Sequence, residues 1–350
     1  MQYNIDFTEP YWIVPCYHVI GIISFFLNSL GIYMLIFQCK KLGTFRFYLL
    51  AYLSMCFLTD IHFTFLMQAV PLFPFVAGYV VGILYEWLGV SLYYSVVSFR
   101  RTEVIEFIFD LQIMGFSFVS LQLQFLLMTF IQKHQTIAII LKTHVLPKFL
   151  FFAHYLLCLI TPLLITLGIN IVHIQKEEQL RYIAEFYPEY LPNFQQLSNF
   201  ELYIKNYIYV IMATVLIIFL SGGCLLLGYI ITDIFRLLSV LKLQISPGTL
   251  KKHEDAIRSL IVQISTIILC VSPLSLLMVS ILWEFRNAQL LSSICLLLFT
   301  AHSSINIISL FLFFPPFREF ASKYMRCMRK RRVTTEVRGS AALFLKIFIP

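Results

Sequence analysis

FLTDIHFTFLMQAVPLFPFVAGY, residues Phe57–Tyr79, decides how this chain must be read. Its first half has the apolarity of a membrane-spanning segment, yet it holds Asp60 and His62. A charged side chain near mid-bilayer costs roughly 2.5–3.5 kcal/mol on insertion scales, so such residues turn toward a bundle interior or a watery cavity. A single anchoring helix offers Asp60 no such shelter. A polytopic bundle does. The second half, carrying Pro71 and Pro74, reads as a compact aromatic loop that leaves the helix.

The rest of the composition agrees. Of 350 residues, 59% are hydrophobic and only 13% charged, with a mean hydropathy of +0.83. A soluble domain carries roughly 25% charged residues, so this chain belongs in a membrane. The residues before Pro15 include Asp6 and Glu9 but no Lys or Arg, unlike a cleavable signal peptide, and the first span is expected to act as its own signal. The eight cysteines are scattered through apolar runs without metal-ligand spacing, so neither a metal nor a cofactor is expected.

A crossing helix needs about 20 apolar residues. Working outward from Asp60, such runs lie at Pro15–Cys39, Phe47–Gln68, Phe107–Ile131, Leu146–Val172, Tyr207–Thr232, Leu260–Trp283 and Ala288–Phe314. A further apolar run, Phe75–Phe99, raises the count from seven to eight if it crosses. Short cytoplasmic loops are enriched in Lys and Arg, and that rule separates the two counts. Seven spans with the N-terminus outside put Lys40, Lys41, Arg46, Lys133, Lys142, Lys148 and the basic tail from Arg326 to Arg332 on the inner side. The acidic loop with Glu177, Glu178, Glu185, Glu189 and Glu201 then lies outside. Eight spans invert everything after the third crossing. The expected fold is therefore all-α, a seven-transmembrane-helix bundle over residues 15–317. An extracellular segment 1–14 precedes it and a basic cytoplasmic tail 318–350 follows. Residues 89–106 are expected as an outer-loop insertion and 173–206 as a long outer loop.

Several separate stretches resemble one known family. YHVIGIISFFLNSLGIYMLIFQ from Tyr17, FRFYLL from Phe45, and DIHFTFLMQ with PLFPFVAGY around the second span carry it, as do LQLQFLLMTFIQKHQTIA from Leu121 and HVLPKFLFF from His144. KEEQLRYIAEFYPEYLPNF from Lys176 and HSSINIISLFLFFPPFREF from His302 complete the series. Together they resemble the class i serpentine receptors of nematodes (Sri), chemosensory seven-transmembrane G-protein-coupled receptors, over about Pro10 to Phe320. The resemblance implies a small-molecule chemical ligand, a heterotrimeric G protein, and a place in the plasma membrane, including the ciliary membrane of chemosensory neurons. Two departures stand out. The Gly82–Leu121 interval is longer than the family pattern, so residues near 91–106 are either a true insertion or a retained intron. The tail from about Val337 is unlike the family. The long outer loop also lacks the cysteine that rhodopsin-like receptors use to tie that loop to a helix.

The polar residues of the spans are the candidate site. Asn28, Asp60 and Asn306, with His62 beside them, match the spans on which rhodopsin-like receptors carry a polar switch cluster; alternatively each only orders local packing. Lys133 and His134 stand where those receptors carry an acidic–Arg–aromatic triplet. With Arg318 they are the candidates for facing a G protein, although an acidic partner is missing from the local sequence and inner-leaflet charge is a simpler account. Pro273 would kink the sixth span. Cys327, inside a basic run suited to anionic membrane lipids, is a candidate for acylation. Ligand-contacting residues are not identifiable from sequence.

Catalysis has no support, since no HExxH, GxSxG, P-loop or dinucleotide fingerprint occurs. Basic residues are spread as a topology signal rather than a nucleic-acid patch. The main rival is a ligand-gated cation channel of the insect odorant-receptor type, which also has seven spans but an inside N-terminus. A small membrane transporter is weaker, because paired repeats and matching broken helices are not visible.

Overall fold

The computed structural model describes residues 5–8, 11–83, 102–197, 200–243, 246, 268, 272–273, 276 and 287–323. Six of its helices are long and apolar enough to cross a membrane. They are α1 (Ile13–Tyr33, extended by a π-helical turn Met34–Gln38), α2 (Phe45–Ile61, extended by the π-helical His62–Met67), α3 (Thr102–Leu141), α4 (Lys148–Val172), α7 (Tyr207–Leu241) and α8 (Ala288–Phe313). Between α4 and α7 lie two short helices, α5 (Lys176–Phe186) and α6 (Leu191–Gln196). Three short strands complete the fold: β1 (Ala69–Pro71), β2 (Ala77–Val80) and β3 (Phe200–Leu202).

The bundle inverts the usual amphipathic plan. On α1 the buried stripe is Tyr17, Gly21, Ser24, Asn28 and Gly31, at steps of four and three residues. Val19, Ile22, Phe26 and Tyr33 face outward. Lipid is as apolar as Leu, so large apolar side chains gain nothing by turning inward, whereas small and polar ones do. Gly31 makes the close approach possible: a Cβ there would lie 2.7 Å from Ile307 Cδ1 and 2.8 Å from Leu53 Cδ2. Below this contact, Met34, Leu49, Leu53, Phe130, Ile234, Ile307 and Leu310 form the main core.

Contacts along the helices settle their directions. Gln132 donates to Tyr48 Oη near one end of the α2–α3 pair, and Gly115 meets His62 near the other, so the two are antiparallel. Asn28–Ser303 and Gly31–Ile307 make α1 and α8 parallel. The paired strands and the start of α8 share one end of the bundle, here termed the lid end; α7 finishes at the far end. The chain must therefore cross once more between Leu241 and Ala288, where the apolar run Leu260–Trp283 lies. In that run only Ile268, Ser272, Pro273 and Leu276 are described, all helical, with Pro273 buried; any kink lies outside the described residues. The strand β2 and the start of α3 share the lid end, which agrees with seven crossings and not eight. Residues 84–101, holding most of the 89–106 segment, lie outside the described residues.

The two loops expected at the lid end fold together. The second span unwinds before either proline: Gln68 takes a left-handed conformation (φ 43°, ψ 64°) that closes the π-helical turn. The chain then enters an antiparallel sheet in the order β1-β2-β3, pairing Val70 with Tyr79 and Gly78 with Glu201. Pro71 sits in an edge strand, where its missing N–H costs least. The sheet shares a small core with α5 and α6, made of Val70, Leu72, Phe75, Ile183, Tyr190, Phe194, Phe200 and Leu202. The ring of Phe7 packs edge-on against Phe194 at 5.0 Å, and the Asp6 backbone exchanges two hydrogen bonds with Gln289 at the start of α8. The expected long loop is thus a folded lid. Cysteine plays no part in it.

At the far end, α8 stops at Phe313, as Pro315 and Pro316 demand, but residues 315–323 resume a helix. Phe317, fully buried against Phe311 and Phe314, pins it to the bundle. Cys327 and the basic run around it lie outside the described residues.

Replacing Gly31 by Leu forces α1 away from α2 and α8. Overpacking of this kind typically costs about 1–3 kcal/mol. We expect a clear fall in thermal stability of the detergent-purified protein, while Phe26→Leu on the lipid face leaves it unchanged.

Candidate functional site

Among the described residues, two buried polar centres each join three elements of the bundle. The first joins α1, α2 and α8. The two N–H groups of Asn28 Nδ2 are shared among Asp60 Oδ2 (3.1 Å), Ser303 Oγ (2.8 Å) and the Ser24 carbonyl (3.0 Å). Ser303 returns a hydrogen bond to Asn28 Oδ1 at 3.0 Å, and the Ser24 hydroxyl donates to Asp60 Oδ2. Asp60 is 2% exposed, and its Oδ1 has no hydrogen-bond partner among the described residues. An acid in hydrocarbon is tolerable only if its charge is shared or removed. Here two donors from α1 converge on one oxygen, and Asn28 links that oxygen to Ser303 on α8.

Not all of the expected cluster assembles. Asn28 and Asp60 meet, but Asn306 lies one turn further along α8 and donates instead to Tyr52 Oη at 3.4 Å. His62 faces α3, edge-on to Phe63 and Phe118 and against Gly115. The structure adds Ser24 and Ser303, which carry no distinctive sequence signal because most span hydroxyls only bond back to the carbonyl four residues earlier. It also pairs Gln122 of α3 with His302 of α8 at 2.5 Å, both about 1% exposed.

The second centre lies at the far end. Asp233, on α7, is 4% exposed and receives two imidazoles on the same oxygen: His134 Nε2 of α3 at 2.7 Å and His144 Nδ1 at 2.9 Å. His144 belongs to the α3–α4 connection and has φ 55°, a left-handed conformation that non-glycine residues adopt at a cost. Gln135 holds the loop in place by donating to the His144 carbonyl (3.3 Å) and accepting from the Leu146 N–H (2.8 Å). The acidic partner that is absent beside Lys133–His134 is therefore supplied by another helix. Lys133 does not join this centre; its ammonium lies 5.3 Å from the centroid of the Phe45 ring. Helix α3 also continues past both residues to Leu141, so they lie within it rather than at its end. Arg318 is exposed on the 315–323 helix. Among the described residues no group of three or more His, Cys, Asp or Glu side chains is arranged to hold a metal ion.

The chain matches known proteins in both sequence and shape. The profile described as "Serpentine type 7TM GPCR chemoreceptor Sri" matches residues 3–321. The chain belongs to the Sri family. The crystal structure of squid rhodopsin superposes on this Sri protein with a TM-score of 0.56 at 12% identity, covering 91% of this chain and 85% of that one. At that identity the likeness is one of fold, the seven-helix fold of a G-protein-coupled receptor. No curated protein sequence matches the chain.

The first centre predicts its own sensitivity. Asn28→Ala leaves Asp60 and Ser303 without their shared donor, at a cost of about 1–3 kcal/mol for buried unsatisfied groups. Asn28→Asp sets a second carboxylate against Asp60 and is expected to be worse. The order wild type, Asn28→Ala, Asn28→Asp should appear as successive falls in the melting temperature of purified protein.

Proposed function

We propose that this receptor binds a small chemical ligand from the lid end and relays its presence to a heterotrimeric G protein at the far end. The lid end then faces outside, the N-terminus is extracellular and the C-terminus cytoplasmic, in the plasma membrane of a chemosensory cell. The observation that carries the reading is the His134–Asp233–His144 tether. It fastens α3, α7 and the α3–α4 connection to one another at the end where Lys40, Lys142, Lys148 and Arg318 gather.

A tether of this kind gives the bundle two states. Closed, one oxygen of a buried carboxylate is held by two imidazoles; opened, the ends of α3 and α7 can part and uncover a cleft. Hydrogen bonds to charged groups contribute roughly 1.5–3 kcal/mol each, enough to set a population of closed over open bundles. A ligand needs only to bind the open packing more tightly to shift that population. Lys133, His134 and Arg318 are the residues at which a G protein would meet the open form. Asn28, Asp60, Ser24 and Ser303 would couple the packing of α1, α2 and α8 to the same change.

Two experiments test this. Asp233→Asn keeps the shape but weakens the tether, and a loss of 1–2 kcal/mol shifts an equilibrium by roughly 5- to 30-fold. Basal nucleotide exchange on a panel of Gα subunits should therefore rise, with Thr136→Ala on the exposed face of α3 as the unchanged control. Unaltered or lower exchange at equal surface expression would reject the latch. Epitope tags on each terminus, stained in intact and permeabilised cells, should show the N-terminus outside. An inside N-terminus with an outside C-terminus would favour the channel class instead, and a ligand-evoked current would then be sought.

A further inference from the structure

The lid carries an acid that its own fold does not need. Glu201 occupies the middle of β3, between Phe200 and Leu202, and is 2% exposed. Its Oε2 accepts from Gln179 Nε2 at 3.0 Å, while Oε1 has no hydrogen-bond partner among the described residues. Gln179 has nothing more to give: its amide also donates to the Ile174 carbonyl and accepts from the Leu202 N–H. The titratable groups facing Glu201 are His173 at the end of α4, Lys176 on α5 and Tyr203 just past β3; β2 brings only Gly78 opposite. His173 Nδ1 stands 3.7 Å from Oε2. The Lys176 ammonium is committed elsewhere, donating to the Phe200 carbonyl at 2.6 Å and lying over the Phe200 ring.

We propose that the lid is a proton-responsive fold whose own packing tightens as the medium on its side turns acidic, with Glu201 as the responding group and His173, Lys176 and Gln179 setting its range. The placement of the lid outside rests on the reading above; the response itself does not. Burial holds the Glu201 carboxyl up at about 7, against an ordinary 4.5. The lid closed on itself, with β3 paired to β2 and Gln179 of α5 bonded to Glu201, therefore keeps this proton more tightly than a lid whose own packing has opened and whose carboxyl meets water. Closure gains stability as pH falls through that window, and loses it as pH rises. Burial pushes Lys176 down to about 7, so its own effect belongs to the alkaline side: closure gains as pH climbs from there toward 10.5. Below neutrality Lys176 is charged whether the lid is open or closed and adds no slope. His173 is held below 6.5 by burial and opposes Glu201 in acid. Its side chain is 25% exposed against 2% for Glu201, so its desolvation is the weaker effect. The lid is least secure near neutral pH, and acid closes it.

Hydrogen–deuterium exchange of the full-length protein in lipid nanodiscs reads this directly, with intrinsic exchange rates divided out. Peptides spanning residues 69–80 and 174–204 should gain protection by about tenfold or more between about pH 7.5 and about pH 5, since one linked proton gives at most about tenfold per pH unit. Glu201→Gln should lose that gain and instead stay level or fall in acid, as His173 takes up its proton. Lys176→Gln should move the midpoint upward, because the Lys176 charge lowers the Glu201 carboxyl. A flat or falling wild-type profile overturns the proposal, as does a Glu201→Gln protein that titrates like wild type. If that variant does not fold, the wild-type slope and the direction of the Lys176→Gln shift decide alone. The readout involves neither ligand nor G protein, so its failure leaves the receptor reading standing, and the converse holds.

Discussion

Hydrocarbon offers no hydrogen bonds, and that deficit organises this molecule. A polar side chain on a span gains by finding a partner on another helix or by folding back onto its own carbonyls. Asp60 illustrates the demand most sharply, drawing Ser24 and Asn28 from α1 and, through Asn28, Ser303 from α8. Because small residues accompany these donors along the α1 stripe, the helices can come near enough for the bonds to form. Many of the large apolar side chains of α1, such as Val19, Ile22 and Phe26, are left to the lipid, which accepts them at no cost.

The same demand shapes both ends of the bundle in different ways. At the far end, Asp233 is answered by histidines from a helix and from a loop, which ties three elements to one oxygen. A contact of that sort is all-or-none: moving one partner leaves the carboxylate buried and short of donors. At the lid end the backbone itself is satisfied by strand pairing, between segments more than a hundred residues apart in the chain. The lid has an apolar core of its own, and Tyr17 of α1 holds it to the helices by donating to the Ala69 carbonyl.

The seven-helix plan was legible in the chain because span length and the Lys/Arg distribution are local properties. Asp60 and Asn28 were also legible as inward-facing, since any polar residue at that depth must turn in. Asp233 was not. Read along the sequence, it marks the end of an apolar run at Thr232, whereas α7 carries on to Leu241 and buries the acid. Asn306 and His62 have the same polarity signal as Asn28, yet they face Tyr52 and Phe118. The phase of each helix about its axis decides between these, and phase is set by neighbours.

Composition and charge placement alone determined a polytopic, seven-span bundle, and the ordered motifs determined the Sri family. Those properties depend on residues near one another in the chain. Tertiary structure alone decided that the long polar loop is a folded lid, that Glu201 lies buried within it, and that one acid on α7 joins His134 to His144. Each of these joins residues 22 to 130 positions apart in the chain, as between Gln179 and Glu201 or Val70 and Phe200. Only closure of the bundle, burying their surroundings together, makes such pairs worth more than their separate contacts with water.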